Sequence, residues 1–143
     1  MYNSVLFPTD RSDGATKARE HAIELAADQN AVLHVLNVVH GVAPAASLHE
    51  GMVERLTDEG ENLVESVASE ARERGVTVET AVVEGDPAST IVEYANANGI
   101  DVVVMPAHGR SELSKTFVGS VTDKVIRTGE VPVIVLKLDA QGD

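Results

Sequence analysis

An α/β fold built on a parallel sheet is what this sequence predicts, and three observations carry that expectation. Short apolar, β-branched runs recur along the 143 residues, each too short for a helix and each closed by turn residues. Between them lie segments whose apolar residues repeat with helical spacing. The apolar content, 43% of residues with only 3% aromatic, supplies an aliphatic core large enough to cover both faces of such a sheet.

The elements follow in order. Ser4 to Phe7 reads as a strand stopped by Pro8-Thr9-Asp10. A helix opens at Asp13 or Gly14 and places Ala15, Ala18, Ala22, Leu25 and Ala26 on one face. Ala31 to Val39 is a central strand, and Gly41 to Ser47 a loop. The longest helix runs from about Leu48 to Arg74, with Met52, Leu56, Leu63, Val67 and Ala71 as its buried stripe, broken at Gly60 and capped by Gly75. Val76 to Val83 alternates as a strand does. Asp86-Pro87 pairs an N-cap residue with proline at the first helical position, and that helix continues through Ile91, Val92 and Ala95 to Asn98-Gly99. Ile100 to Met105 is a strand, and Ser120 to Thr128 a helix with Val121, Val125 and Ile126 inward. Val131 to Leu138 is the last strand before a polar tail. Five strands alternating with four helices imply right-handed crossovers, but their lateral order does not follow from this pattern.

Composition excludes several function classes. The net charge of −12, from 23 acidic and 11 basic residues, opposes binding to nucleic acid or to an anionic membrane. The acids are dispersed as solvated helix faces rather than gathered in a tail. With no cysteine, thiol chemistry and cysteine-based zinc sites are excluded. No signal peptide is recognisable at the N-terminus, and no apolar run approaches the about 18 residues of a membrane span, so the expected location is the cytoplasm. Phosphate-binding lysine loops, a G-x-G-x-x-G after a strand and a G-x-S-x-G elbow are all absent.

The most informative stretch is Met105 to Thr122, in which a buried strand leads through His108-Gly109 to Gly119-Ser120 at a helix start. Amides of a first helical turn, reinforced by the helix dipole, hold anions. Gly109 and Gly119 allow close backbone approach, and Ser120 and Thr122 carry hydroxyls. The plain alternative is a loop with Ser120 as N-cap and Asp123 in a capping box. Asp10 suits a ribose hydroxyl or an adenine amino group, or else a turn. His108 either faces a ligand or braces its loop, having no acidic neighbour to orient it. Arg110 and Lys115 meet phosphate charge or stand in solvent. No catalytic residue and no protein metal ligand set is evident.

These residues resemble the universal stress protein family over nearly the whole chain. The likeness covers the P-T-D after the first strand, D-P-x-x-x-I at the third helix, and H-G-R-S-x-L followed by G-S-V. The family motif is G-x-x-G, nine residues, then G-[ST]; here Gly109, nine residues and Gly119-Ser120 fit it, while Pro106 replaces the first glycine. The resemblance implies one domain over 1–143 and an open five-stranded parallel sheet of order 3-2-1-4-5. Helices cover both faces, in the Rossmann-like, adenine nucleotide α-hydrolase-like manner. It further implies Pro8, Thr9 and Asp10 beside an adenosine, and Val38 or Val39 meeting the adenine through the backbone. Met105, His108 and Gly109 would wrap the ribose and phosphates, with Gly119, Ser120, Val121 and Thr122 on the phosphates. ATP is the implied ligand, with AMP or another adenine nucleotide as the alternative, and Mg²⁺ is carried by the phosphates. A homodimer through Val131–Leu138 is implied, an apolar edge that needs cover. Proline at 106 removes one N–H donor, a loss of about 0.5–1.5 kcal/mol, roughly three- to tenfold in affinity.

The expected function is thus an ATP-binding, dimeric stress-response module with slow or absent hydrolysis. The alternatives are a nucleotide-free interaction protein of the same fold and a slow ATPase or phosphotransferase using His108. Lysines are limited to Lys17, Lys115, Lys124 and Lys137, and the acid excess suits a salt-rich cytoplasm. The melting temperature is expected to rise from low to molar salt; equal values in both would refute that reading.

Overall fold

The computed structural model describes residues 1–10, 14–39, 49–107 and 119–137. Its strands are β1 (Ser4–Pro8), β2 (Val32–Val39), β3 (Val78–Glu84), β4 (Val102–Pro106) and β5 (Val133–Leu136), and its helices α1 (Gly14–Gln29), α2 (His49–Glu73), α3 (Pro87–Ala97) and α4 (Ser120–Thr128). All pairings are parallel and the strand order is β3-β2-β1-β4-β5, as the resemblance implied. The chain winds outward from β1 through β2 to β3, then crosses back to β4 on the other side of β1. With right-handed crossovers this reversal puts the helices of the two halves on opposite faces.

Strand alternation divides the core accordingly. Val5, Phe7, Leu33, Val35, Val102 and Val104 pack beneath α1 and α2, against Ala18, Ala22, Ile23, Ala26, Val64, Val67 and Ala71. Leu6, Leu36, Val103 and Met105 meet Ala88, Ile91, Ala95 and Val125 of α3 and α4. The strands are apolar on both faces because both are covered.

Three helices end alike. Asn30, Gly75 and Gly99 have φ of 55°, 83° and 60°. After each, the next amide returns to a carbonyl five residues back: Ala31 to Ala26, Val76 to Ala71 and Ile100 to Ala95. The left-handed residue lets the chain turn while satisfying an orphan carbonyl. Asn30 does what glycine does at the other two sites, a role that its residue type alone does not announce. At the start of α3, Asp86 accepts from the Ser89 amide at 3.1 Å, with Pro87 in the first turn.

Two inward assignments are corrected. Met52 is 49% exposed and Ile126 is 44% exposed. The inner face of α2 is Gly60, Val64, Val67, Ala68 and Ala71, with Leu56 and Leu63 half-buried, and Gly60 belongs to that face rather than interrupting it. On α4, Thr122 takes the buried place expected of Ile126. Both apolar side chains fit the helical period but lie at the margin of the sheet's coverage, where the flank is solvent. Val76 is buried but precedes β3, and β5 is shorter at its ends than the Val131–Leu138 run. Leu48 and Leu138 lie outside the described residues.

One polar pair is built into the α3 face. His34 of β2 is buried and its Nδ1 hydrogen-bonds the Tyr94 hydroxyl at 2.8 Å. Burial lowers the His34 pKa, with the neighbouring Glu79 carboxylate pulling the other way. The unfolded chain therefore binds this proton more readily than the folded one. The associated stability is complete above an ordinary imidazole pKa of about 6.5 and falls as pH drops below it. Urea midpoints measured from pH 7.5 to 5 should decline more steeply for the native chain than for His34→Gln; parallel curves would contradict this account.

Candidate functional site

The seam between β1 and β4 is where the winding reverses, and in open α/β sheets ligands bind outside the carboxyl ends of the strands at such a point. At its amino end the seam is stitched firmly. The Asp101 carboxylate accepts from the Asn3 and Ser4 amides at 2.7 and 3.0 Å. Those bonds hold its pKa below the usual carboxylate range. The β1–β4 register comprises Val5↔Val102 and Leu6↔Val103, whereas β1 stays paired with β2 through Pro8↔Leu36. The strands therefore part on the β4 side before they end.

The loop leaving β1 is held from the β2 side. The Thr9 amide donates to the Leu36 carbonyl at 2.8 Å. The buried Thr9 offers its hydroxyl to the Asp10 carbonyl at 3.2 Å, and its own carbonyl accepts from Asn37 Nδ2 at 2.9 Å. Asn37 fits there because residue 60 is glycine: a Cβ at Gly60 would collide with Asn37 Oδ1 and reach within 3.2 Å of Val82 Cγ1. Neither residue is among those the sequence points to. A polar side chain in an apolar strand, together with a glycine in a helix, was the available signal. Asp10 is exposed beyond this anchor.

Backbone direction separates the two valines that end β2. In a parallel ladder, alternate residues turn both N–H and C=O toward the same neighbouring strand. The Leu36 carbonyl takes a donor from Thr9 of the β1 loop, and the Val39 carbonyl takes one from Gly85, past β3, at 3.0 Å. Val38, two residues beyond Leu36, thus turns its backbone toward the side where β1 has ended. Val39 turns away from it. Of the two alternatives, Val38 is the one whose amide and carbonyl face the crevice.

On the other side, β4 and α4 are tied together at their junction. The Pro106 carbonyl accepts from Thr122 Oγ1 at 2.9 Å, the Ala107 carbonyl accepts from the Gly119 amide, and the Ala107 amide donates to Leu136 at 2.7 Å. Met105 is buried in the core below α3 and α4. The Thr122 hydroxyl proton is engaged with Pro106, so this residue serves the junction first. His108, Gly109, Arg110 and Lys115 lie outside the described residues.

Gly119, not Ser120, is the N-cap of α4, and no side chain caps it. Asp123 does not close a capping box; its carboxylate pairs with Arg127 at 2.8 Å on the solvent face. The first intrahelical bond runs from the Asp123 amide to the Gly119 carbonyl at 2.8 Å. The amides of exposed Ser120, half-buried Val121 and buried Thr122 precede it and have no intrahelical acceptor. Three such amides with the positive end of the helix dipole can hold an anion without any side-chain charge. Among the described residues, no group of three or more acidic or histidine side chains could hold a metal ion. No described helix is long and apolar enough to cross a membrane.

Comparison with known proteins agrees with this architecture. Residues 1–137 match the Universal stress protein family. Universal stress protein MJ0531 of Methanocaldococcus jannaschii is 35% identical over 142 residues, covering 96% of this chain and 83% of that protein. The solved structure of MJ0577 superimposes with a TM-score of 0.89 at 30% identity, covering 97% of this chain and 98% of the other. An Arabidopsis thaliana family member solved with AMP bound has a TM-score of 0.73 at 19% identity, covering 97% and 94%, a likeness of fold alone. On a family match that spans nearly its whole length, together with a sheet of order 3-2-1-4-5, this chain belongs to the universal stress protein family.

Proposed function

We propose that this protein binds an adenine nucleotide, with ATP as the favoured ligand, in the crevice between β1 and β4. It acts as a dimeric stress-response module rather than as a fast enzyme. The observation that carries this reading is the mouth of α4: Gly119 caps it without a side chain, and the next three amides lack intrahelical acceptors. The phosphates sit there, with Mg²⁺ arriving on them. The adenosine lies toward Thr9, Asp10 and the Val38 backbone, with His108, Gly109 and Arg110 completing the phosphate side. The AMP complex of the Arabidopsis relative supports the ligand class. The described groups at the mouth of α4 are backbone amides and hydroxyls, which hold phosphate but take no proton from water at neutral pH, and this supports slow or absent hydrolysis.

The dimer in this reading forms through the Val131–Leu138 segment. β5 is the outer strand next to β4, and its Val133, Ile134, Val135 and Leu136 are all half-buried. Since the Ala107 amide donates to Leu136, the alternate residues Val133 and Val135 turn their backbones outward. An apolar edge of this kind is suited to cover by a second copy.

Calorimetry with ATP-Mg²⁺ tests the first part. Binding heat and a raised melting temperature are expected, and absence of both refutes the nucleotide reading. In Ser120→Asp the added carboxylate favours the helix terminus, by about 0.3–1 kcal/mol, yet repels phosphate from it. Melting without ligand should be unchanged or slightly raised while ATP affinity falls by roughly tenfold or more, about 1.4 kcal/mol. Undiminished affinity would place the phosphates elsewhere. Val135→Pro removes an outward amide and no bond to β4. Sedimentation should then show a monomer where the native chain is a dimer, and an unchanged native dimer in the variant would move the interface off this edge.

A further inference from the structure

Asn37 is a polar residue on the α1 and α2 face of β2, where the alternate residues Leu33 and Val35 belong to the aliphatic core. Its Nδ2 donates to the Thr9 carbonyl at 2.9 Å. The other end of the side chain, Oδ1, is turned toward α2 and lies against Gly60, a buried residue near the middle of that helix. A Cβ at position 60 would overlap Oδ1 and stand 3.2 Å from Asn37 Cγ. Glycine weakens a helix interior relative to alanine, so its use here is explained by the room it leaves. Asn37 is thus held at both ends of its amide, by the β1 loop on one side and by α2 on the other.

The Thr9 carbonyl belongs to the peptide that joins Thr9 to Asp10, and the bond from Asn37 pins that plane. The plane after Asp10 is pinned by the Thr9 hydroxyl, which donates to the Asp10 carbonyl at 3.2 Å. Two fixed planes set φ and ψ of the residue between them, and with these the direction of its Cα–Cβ bond. The Thr9–Asp10 peptide is trans, so with its carbonyl turned to Asn37 the Asp10 amide points away from β2. We propose that Asn37 is a positioning residue for the nucleotide crevice: seated by Gly60 of α2, it sets the direction in which the exposed Asp10 is presented to the adenosine. It acts through the Thr9–Asp10 peptide rather than by contact with the ligand. Through it, the seating of α2 bears on the affinity of a site that α2 does not line. This inference rests on the nucleotide reading above.

Asn37→Ala removes the donor and leaves the Thr9 carbonyl without it. Calorimetric titration with ATP-Mg²⁺ should show affinity reduced about three- to tenfold, the worth of one hydrogen bond. Gly60→Ala keeps the donor but displaces it, and should weaken ATP binding to a similar degree. With both substitutions the loss should equal that of Asn37→Ala alone, because an alanine at position 60 then has no Oδ1 to displace. In that background Gly60→Ala should no longer lower the urea midpoint, since only Val82 Cγ1, at 3.2 Å, remains close; in the native background it should. Lower midpoints with unchanged ATP affinity of the folded protein would make Asn37 purely structural and overturn the proposal. Affinity losses that add in the double variant overturn it as well, by separating Gly60 from Asn37. If the native chain binds no ATP, the nucleotide reading falls and takes this proposal with it. ATP binding that is indifferent to both substitutions overturns this proposal alone. If Asn37→Ala does not fold, Asn37→Val, which suits a strand and has no donor, is read by the same titration.

Discussion

Everything in this structure turns on how β1 is paired with β4. β1 is the central strand of the sheet, and the chain reaches β4 only after winding away to β3 and crossing back. A parallel ladder joins the two strands at their amino ends, where Asp101 adds two charge-assisted bonds to the amides of Asn3 and Ser4. Toward the carboxyl ends the register stops at Leu6↔Val103, while β1 stays paired with β2 through Pro8↔Leu36. One seam is thus closed at one end and open at the other. The closed end holds the two halves of the fold together, and the open end sets the mouth of the crevice.

The helix that faces this mouth is started in an unusual way. A Ser, Asp or Asn N-cap would engage one of the orphan amides and stabilise α4 by about 0.5–2 kcal/mol. Gly119 forgoes that bond. The junction is held instead from below, by Thr122 Oγ1 on the Pro106 carbonyl and by the Gly119 amide on Ala107. Stability that usually comes from the cap is supplied where it does not block the amides. The same arrangement appears across the crevice. There Asn37 secures the β1 loop through the Thr9 carbonyl, and Gly60 makes room for Asn37. Both borders of the site are fixed by side-chain bonds to backbone carbonyls.

Local chemistry was legible in the sequence wherever a residue acts through its own backbone neighbours. Asp86-Pro87, Gly75 and Gly99 mark helix boundaries because a cap or a left-handed turn needs only the adjacent residues. Asn30 escaped notice because asparagine is also common in ordinary turns. The inward assignments of Met52 and Ile126 failed for a different reason. Helical periodicity identifies an apolar face but not how far the underlying sheet extends beneath it. Asn37 and Gly60 were invisible as a pair, since they lie on different elements and only strand-to-helix packing brings them together.

By itself, then, the sequence determined the alternation of strands and helices, the aliphatic two-faced core and the glycine at the mouth of α4, all of which depend on short-range pattern and composition. The strand order did not come from pattern; it entered through likeness to a family. Tertiary structure alone decided which backbone atoms face one another. Strand parity assigns Val38 rather than Val39 to the crevice, and packing sets Asn37 between Thr9 and Gly60. The second of these relates residues from three separate stretches of the chain, and it exists only once β1, β2 and α2 are stacked against one another.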